Sequence, residues 1–227
     1  MAASRPEVLV LDVNETLSDL TPMRQRFEAA GLPGHGFDTW FAAVLRDGFA
    51  LAAVDATAEF GAIGAEILAG QLVAARIEPS ADAIRDVLSG FTQLALHPDV
   101  VPGLRRFHEL GIRIVTLTNG SAAMSQQMFT DAGLLPLLEH RLDVTVPGRW
   151  KPHRAAYEYA ADVCKVPMER MALAAVHPWD IDGAKRAGLQ GWYVDRRRTP
   201  YPAMFTSPDL TATDFEQLAE RLAPSAA

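Results

Sequence analysis

The chain has 227 residues, of which 49% are hydrophobic and 22% charged, and its formal net charge at pH 7 is −7. This length accommodates one large domain or one domain with a modest insert, and the composition is typical of a globular protein. The acidic balance disfavours nucleic acid, because phosphate backbones attract clustered Lys and Arg, whereas the one local basic run is at 196–198. No apolar stretch approaches the roughly 20 residues of a membrane helix, and the single cysteine, Cys164, suits a reducing cytoplasm. We therefore expect a cytoplasmic protein that binds neither nucleic acid nor membranes.

Predicted strands and helices alternate over most of the chain. The first apolar run is residues 8–11, and later strand candidates are residues 112–117, 142–145, 171–176 and 192–194. Helical patterns lie between them, at residues 102–110, 122–132, 152–164 and 181–187. Strands that alternate with helices indicate a parallel sheet in an α/β fold.

Residues 18–97 differ from the rest because they show no convincing strand and are rich in Ala, Leu and Phe. Asp38 is expected to cap a helix that runs to about residue 52, and Ser80 a helix that runs to about residue 94. We therefore predict a Rossmann-like parallel core made of residues 1–17 and 98–227, with residues 18–97 inserted as an α-helical cap domain.

Four polar clusters follow strands or the loops after strands. They comprise residues 12–16 (Asp-Val-Asn-Glu-Thr), residues 118–121 (Thr-Asn-Gly-Ser), Lys151, and residues 177–180 (His-Pro-Trp-Asp). Ligands of an open parallel sheet bind beyond the carboxyl ends of its strands. A carboxylate, hydroxyls, an amide, a cation and an imidazole are therefore expected to meet in one crevice.

The order of these polar residues matches four known motifs. A strand followed by Asp-x-x-x-Thr is matched by Asp12 and Thr16, a strand that ends in Ser or Thr by Thr118, a lone Lys by Lys151, and an acidic loop after a strand by Asp180. On these residues the chain resembles the haloacid dehalogenase superfamily. The resemblance covers most of the core and, by position and helical character, the insert as a cap domain.

Three features bring the resemblance closer to one branch, the type II 2-haloacid dehalogenases. They are the loop at 118–121, Lys151-Pro152 followed by Tyr157, and Trp179-Asp180 before a helix with Gly and Ala. This branch implies a homodimer that hydrolyses short 2-haloalkanoic acids, with a small anionic haloacid and water as its partners and with no metal or cofactor. It also implies a preference for the L substrate. A small, tight site would extend the range to fluoroacetate, which is a separate expectation because the carbon–fluorine bond is stronger.

The resemblance assigns the central chemistry to Asp12, with Thr16 in the same motif. A carboxylate displaces a leaving group to form a covalent ester, which divides one difficult substitution into two steps; the alternative is a carboxylate that caps a turn. Lys151 would keep Asp12 ionised and attract an anionic substrate, or would be a solvated surface lysine. Asp180 would pair with Lys151 and hold it in place.

Substrate binding is expected from polar and aromatic residues around Asp12. Thr118 and Asn119, with nearby backbone amides, would hold the substrate carboxylate or the leaving halide, unless they only form a strand-to-helix turn. Tyr157 belongs to the same pattern, and Trp179 packs either against the halogen or into the core. His177 stands where the compared dehalogenases usually have Asn. It would activate the water that attacks the ester, or would pack beneath the cap or hydrogen-bond the backbone.

The halide-binding arginine that the family implies is out of register in this chain. In the compared family it lies beside a Trp in the first long cap helix, but here Trp40 is followed by Phe41, and the nearest candidate is Arg46. The alternative for Arg46 is an exposed helix residue. Trp40 would help to form an apolar roof over the cleft, or would belong to the cap's own core.

Asn14 and Val176 argue against a phosphatase on the same scaffold. Phosphatases of the superfamily usually have a second Asp at the position of Asn14 to protonate the leaving oxygen, but Asn has no titratable proton. A halide needs no protonation, so Asn14 suits a site that binds a haloacid. Val176 replaces an acidic Mg²⁺ ligand. A phosphonate hydrolase would need a cap lysine, and residues 18–97 contain none. A third alternative is a catalytically idle member of the family that binds a small anion or a protein partner, and the sequence does not exclude it.

Overall fold

The computed structural model describes residues 5–222. In this part of the chain one parallel sheet is formed by β1 (Val8–Leu11), β2 (Arg113–Thr118), β3 (Leu138–Asp143), β4 (Met171–Ala175), β5 (Gln190–Val194) and β6 (Leu210–Ala212). The strands lie in the order β3-β2-β1-β4-β5-β6, and all neighbours pair in parallel. This sheet, with helices between its strands, confirms the predicted α/β, Rossmann-like fold class.

Helices connect most of the strands. They are α1 (Met23–Ala29), α2 (Gly36–Ala53), α3 (Phe60–Ala74), α4 (Ala81–Ser89), α5 (Val100–Glu109), α6 (Gln126–Asp131), α7 (Arg154–Cys164), α8 (Pro178–Ala187) and α9 (Phe215–Glu220). Ser80 caps α4 as predicted, because its side chain accepts a hydrogen bond from the Ala83 amide at 3.1 Å. Asp38 is not a helix cap: α2 begins at Gly36, so Asp38 lies inside the first turn. Each helix within residues 5–222 is too short or too polar to cross a lipid bilayer.

The central strands of the sheet are buried along their whole length. Every residue of β1 and of β4 is buried, and both strands are near-continuous apolar runs, as is typical of parallel strands covered on both faces. Because β1 lies between β2 and β4, the carboxyl ends of these three strands adjoin. Side chains that follow the three strands are therefore neighbours in space.

The segment between β1 and α5 contains helices α1–α4. Its interior is an aromatic cluster in which ring centroids are 5.4–6.5 Å apart, formed by Phe27, Phe37, Trp40, Phe60 and Phe91. Trp40 is fully buried there, and its Nε1 donates to the Gly64 carbonyl at 2.8 Å. Trp40 therefore belongs to the core of this helical segment, and the roof over a substrate cleft was the wrong interpretation.

The two connections between the helical segment and the sheet run side by side. Ser18 forms an antiparallel bridge with Leu96, and the His97 amide donates to the Leu17 carbonyl at 2.9 Å. The domain boundaries at 17/18 and 97/98 stay a prediction. Residues 1–4 and 223–227 of the predicted core lie outside the described residues.

Helix α2 packs against the residue that precedes Lys151. A Cβ atom at Gly48 would lie 2.3 Å from Cε3 of Trp150, so this approach requires glycine. Trp150 Nε1 donates to the Ala58 carbonyl at 3.0 Å, and its ring stacks on Phe60 with centroids 6.2 Å apart. These contacts attach the helical segment beside Lys151.

Candidate active site

The three central strands bring most of the sequence-predicted residues to one edge of the sheet. Asp12 follows β1, Thr118 is the last residue of β2, and His177 follows β4 with Asp180 in the first turn of α8. Each is buried, although none is an apolar side chain. Buried polar groups require partners, and the partners found here are mostly one another.

Lys151 is the centre of a buried ion cluster. Its side chain is fully buried, and Nζ donates to Asp12 Oδ1 at 2.9 Å and to Asp180 Oδ2 at 2.7 Å. The solvated-lysine alternative is therefore wrong. As the family resemblance implied, Asp180 pairs with Lys151, and Lys151 pairs in turn with Asp12.

The two carboxyl groups of the cluster have pKa values shifted in opposite directions. Burial disfavours the ionised form of both. At Asp12, the Lys151 ammonium, the neighbouring His177 ring and the hydrogen bond from Thr16 outweigh burial and lower the pKa. At Asp180, burial and the neighbouring Asp12 charge outweigh Lys151 and raise the pKa. Asp12 is thus the carboxylate whose ionised form this site favours.

Thr16 holds the second oxygen of Asp12. Its Oγ1 donates to Asp12 Oδ2 at 2.5 Å and accepts a hydrogen bond from the Val176 amide at 3.1 Å. Thr16 therefore joins the loop after β1 to the loop after β4. Since Lys151 binds Oδ1 and Thr16 binds Oδ2, the orientation of the Asp12 carboxylate is fixed at both oxygens.

Tyr157 on α7 contacts Asp180 and not Asp12. Its hydroxyl donates to Asp180 Oδ1 at 2.6 Å, and burial together with the Asp180 charge raises the pKa of Tyr157 well above its ordinary value. Gly183 makes room for this contact, because a Cβ there would lie 2.7 Å from the Tyr157 hydroxyl. Tyr157 thus orients the carboxylate that holds Lys151.

Asn119 has a different role from the predicted one. Its Oδ1 accepts from the Lys151 amide at 2.8 Å, and its Nδ2 donates to the Lys151 carbonyl at 3.0 Å. The side chain therefore fixes the backbone of Lys151, 32 residues further along the chain. The Thr118 hydroxyl accepts from the Gly120 amide at 2.9 Å, so the loop geometry of the turn alternative is also present.

A small cavity of about 20 Å³ lies between the loops after β1 and β2 and the helical segment. Its lining includes Asn14, Thr118, Gly120 and Ser121 from the loops, and Phe60, Phe91 and Leu94 from the helical segment. This volume holds about one water molecule. The structure thus places Asn14 and Thr118 opposite an apolar wall.

His177 lies beside Asp12. Its Nε2 is 3.6 Å from Asp12 Oδ2 and 3.7 Å from Glu15 Oε2, and it hydrogen-bonds the Asn14 carbonyl at 3.2 Å. Because a carbonyl only accepts hydrogen bonds, Nε2 carries a proton in this arrangement. The ring also stacks on Trp179, with centroids 5.0 Å apart. His177 therefore presents a donor to the oxygens around Asp12.

A larger cavity, of about 400 Å³, adjoins His177 on the surface between the sheet loops and the helical segment. Glu15, Arg24, Phe37, His177 and Arg196 are among the residues that line it, whereas Asp12, Lys151 and Asp180 do not. His177 both lines this cavity and approaches Asp12. It is the link between the larger cavity and the ion cluster.

Arg46 does not reach the site. Its side chain is 70% exposed and pairs with Asp47 through Nε at 2.6 Å, and it lines neither cavity. The sequence contained a signal for this exposure. The buried face of α2 contains Phe37, Trp40 and Val44, and position 46 does not lie on that face of the helix.

Trp179 contacts α2 through Phe49, with ring centroids 4.8 Å apart. Trp179 therefore packs against the helical segment, and its contact with the halogen stays a prediction.

Arg196, for which the sequence indicates no role, reaches the loop that carries Asp12. Its Nη2 donates to the Thr16 carbonyl at 2.9 Å. The basic run at 196–198 was the available signal, but a run of charge does not indicate which distant backbone group it meets.

Metal binding was not expected from the sequence. Within residues 5–222, no group of three or more His, Cys, Asp or Glu side chains is arranged to hold a metal ion. The space between Asp12 and Asp180 contains the Lys151 ammonium.

A parallel sheet that carries an Asp-Lys-Asp cluster at the carboxyl ends of its central strands, with a helical segment inserted after its first strand, defines an α/β protein of the haloacid dehalogenase type. The chain belongs to the haloacid dehalogenase-like hydrolase family, whose model matches residues 7–188. The family predicted from the motifs is thereby confirmed.

Individual relatives agree with this assignment. The chain is 26% identical to haloacetate dehalogenase H-2 of Moraxella sp. (strain B) over 59% of either protein, and 28% identical to enolase-phosphatase E1 of Gluconobacter oxydans over 56% of this chain and 58% of that protein. These alignments span about three fifths of the relatives' own lengths. The solved structure of the L-2-haloacid dehalogenase of Xanthobacter autotrophicus superposes with a TM-score of 0.88 and 21% identity, over 97% of this chain and 100% of that one. This likeness shows the fold.

Proposed function

We propose that this chain hydrolyses the carbon–halogen bond of short 2-haloalkanoic acids without a metal ion, with Asp12 as the nucleophile. The observation that carries the proposal is the ion cluster, in which Lys151 Nζ lies 2.9 Å from Asp12 and 2.7 Å from Asp180. A divalent cation bound by the same carboxylate oxygens would have to displace this ammonium. The named activities of the dehalogenase relatives support the same reaction.

In the first half-reaction, an oxygen of Asp12 attacks C2 of the haloacid from the side opposite the halogen. The new carbon–oxygen bond forms as the carbon–halogen bond breaks, and the halide leaves with the bonding electrons. Asp12 is only 4% exposed, so little water shields its charge, and its lowered pKa keeps it ionised. The halide needs no proton, in keeping with Asn14, which has none to give. Attack from behind inverts the configuration at C2.

In the second half-reaction, water attacks Cγ of the Asp12 ester. Negative charge then develops on the Asp12 oxygen that is not part of the ester bond. Thr16 Oγ1 stabilises this charge if the ester forms at Oδ1, and Lys151 Nζ stabilises it if the ester forms at Oδ2, because each donates to one Asp12 oxygen. The bond between Cγ and the ester oxygen then breaks, and the 2-hydroxy acid leaves. Of the two protons of the water, one is transferred to the departing ester oxygen, which becomes the product hydroxyl, and the other passes to solvent, while the water oxygen stays in the Asp12 carboxylate.

We assign the removal of the proton that passes to solvent to His177, the side chain that links Asp12 to the larger cavity. To accept a proton at Nε2, His177 must release its hydrogen bond to the Asn14 carbonyl and carry its proton on Nδ1.

Binding of the substrate carboxylate is assigned to Thr118 and the backbone amides after it, which adjoin the small cavity. The proposed substrates are two- and three-carbon acids, of which fluoroacetate is the smallest.

A phosphatase is the second candidate, since a phosphatase is among the relatives. Asn14 and Val176 oppose it, because the first cannot protonate a leaving oxygen and the second cannot bind Mg²⁺. An idle family member that binds an anion or a protein is the third. The homodimer and the cytoplasmic location rest on the family resemblance and composition, and light scattering of the purified protein tests the dimer.

Halide release from racemic 2-chloropropionate and from fluoroacetate, with EDTA present, tests the reaction. We expect metal-independent release and D-lactate as the product from the L substrate. A single turnover in ¹⁸O-water with enzyme in excess is expected to place the label in Asp12, and Asp12→Asn is expected to abolish release while it preserves the fold. Mg²⁺-dependent hydrolysis of phosphate esters without halide release would overturn the proposal, and inactivity in both assays would favour the idle relative.

A further inference from the structure

Arg196 joins three separate parts of the sheet domain. It lies two residues after the end of β5, and its Nη1 and Nη2 donate to the two carboxylate oxygens of Asp99 at 2.8 and 3.1 Å. The same guanidinium donates to the Thr16 carbonyl through Nε at 3.2 Å and Nη2 at 2.9 Å. Because it makes four hydrogen bonds and its side chain is only 17% exposed, the Arg196 guanidinium is held in one orientation and is not a freely solvated surface charge.

Asp99, the carboxylate that binds Arg196, is itself held in place by a second donor. Asp99 precedes α5, and its Oδ2 also accepts from the Phe215 amide at the start of α9, at 2.9 Å. Burial opposes the ionisation of Asp99, but the hydrogen bonds from Arg196 and Phe215 outweigh burial and lower its pKa. The Arg196 guanidinium also lies 5.6 Å from the centroid of the Phe215 ring. Arg196 is therefore anchored to α5 and α9 when it reaches Thr16.

The loop that Arg196 holds needs such support. Glu15, immediately before Thr16, has φ = +62°, a left-handed conformation that costs a residue with a Cβ atom free energy and persists only where the surroundings enforce it. On the far side of this residue, the Thr16 side chain binds Asp12 Oδ2 at 2.5 Å and the Val176 amide at 3.1 Å. A shift of the Thr16 backbone would therefore move the hydroxyl that donates to Asp12, the candidate nucleophile.

We propose that Arg196 is a positioning residue for Asp12: by holding the Thr16 carbonyl, it keeps the Thr16 hydroxyl, and so the Asp12 carboxylate, in the orientation for attack. The kinetic part of this inference rests on the proposed role of Asp12 as the nucleophile. Lysine cannot replace Arg196, because a single ammonium lacks the planar fork that binds Asp99 and Thr16 at once.

Arg113 provides a matched control. Its guanidinium likewise binds a carboxylate through two nitrogens, that of Glu139, and donates to a backbone carbonyl, that of Cys164 at 3.0 Å. It lies at the start of β2, at the opposite end of the strand from Thr118. Arg113→Gln therefore removes the same kinds of bonds without touching the loop that carries Asp12.

The kinetic experiment compares Arg196→Lys, Arg196→Gln and Arg113→Gln by halide release from L-2-chloropropionate. We expect both Arg196 variants to lose about 10²-fold in kcat, the usual effect of a misplaced reacting group, with little change in KM. Arg113→Gln is expected to keep its kcat. In a further variant, Arg196→Ala, added guanidinium chloride below denaturing concentration is expected to restore part of the kcat, since Arg196 lines the larger cavity. Arg196 variants with the kcat of the wild type would overturn the inference.

Hydrogen–deuterium exchange of the free proteins tests the positioning without any substrate. The Leu17 and Ser18 amides donate to the Val13 carbonyl at 2.9 and 3.1 Å, and we expect them to exchange faster in Arg196→Gln than in the wild type or in Arg113→Gln. Unchanged exchange over residues 12–18 in Arg196→Gln would overturn the inference whatever the substrate is. If exchange is faster in Arg196→Gln but the wild-type protein releases no halide, the proposed dehalogenation is overturned and the positioning role of Arg196 stands.

Discussion

Replacement of Lys151 by Met tests the ion cluster most directly. Met has a similar length and keeps the packing, but it removes the ammonium from between Asp12 and Asp180. Each contact, at 2.9 and 2.7 Å, contributes about 6 kcal/mol of attraction at an effective dielectric constant of about 20. Desolvation of the fully buried lysine offsets most of this gain, and measurements on buried pairs that lose one partner give a net loss of about 3–5 kcal/mol.

We therefore expect Lys151→Met to lower the free energy of unfolding at neutral pH by about 3–5 kcal/mol. For a domain of this size, the melting temperature should fall by about 6–20 °C. Urea denaturation and calorimetry measure the two quantities. Halide release should be lost as well, because burial without Lys151 raises the pKa of Asp12 and so removes the ionised nucleophile.

The pH dependence distinguishes lost charge pairing from lost packing. In the wild type, ionised Asp12 stabilises the fold above its unfolded-state pKa of 3.8, and this contribution is lost as the pH falls through its lower folded-state pKa. In Lys151→Met, both carboxyl groups resist ionisation, so the fold is penalised above pH 3.8 and is relieved once they are protonated. The difference in stability between variant and wild type should therefore shrink as the pH falls towards about 4.

Lys185→Met is the control for this prediction. Lys185 pairs with a single carboxylate, that of Asp209, and the two side chains are 17% and 34% exposed. Such pairs contribute up to about 1 kcal/mol, so the control should lose little stability and no activity. A loss in Lys151→Met that is no larger than in the control, or that stays constant between neutral pH and pH about 4, would refute the reasoning about the buried charges.

Three other substitutions test the remaining assignments. Tyr157→Phe leaves Asp180 Oδ1 without its donor at 2.6 Å, so stability in urea should fall by about 1.5–3 kcal/mol; an unchanged midpoint would contradict the assigned role. His177→Asn should accumulate the Asp12 ester, detected by mass spectrometry after rapid quenching, whereas hydrolysis of the ester at the wild-type rate would exclude His177 as the base. Arg46→Ala should change neither halide release nor stability in urea measurably, because Arg46 is 70% exposed; slower turnover would return it to the site.

The sequence was sufficient for strands β1, β2, β4 and β5 and for several of the residues at the carboxyl edge of the sheet. Buried parallel strands are continuous apolar runs, so β1 and β4 were readable, and the polar residue that ends such a run lies at a carboxyl end of the sheet. The order of Asp12, Thr118, Lys151 and Asp180 along the chain was therefore enough to predict one site and one family. Strand β6 was missed because it has three residues and only one of them is buried.

Tertiary structure alone decided what several of those residues contact. Asn119 was expected to bind substrate, but it binds the backbone of Lys151, and Arg196 reaches a carbonyl 180 residues away in the chain. Neither partner leaves a local pattern, since a hydrogen bond between distant segments depends on how the loops fold towards each other. Periodicity determines which face of a helix is buried, but only packing determines what that face meets. For this reason Trp40 lies inside the helical segment and not over Asp12.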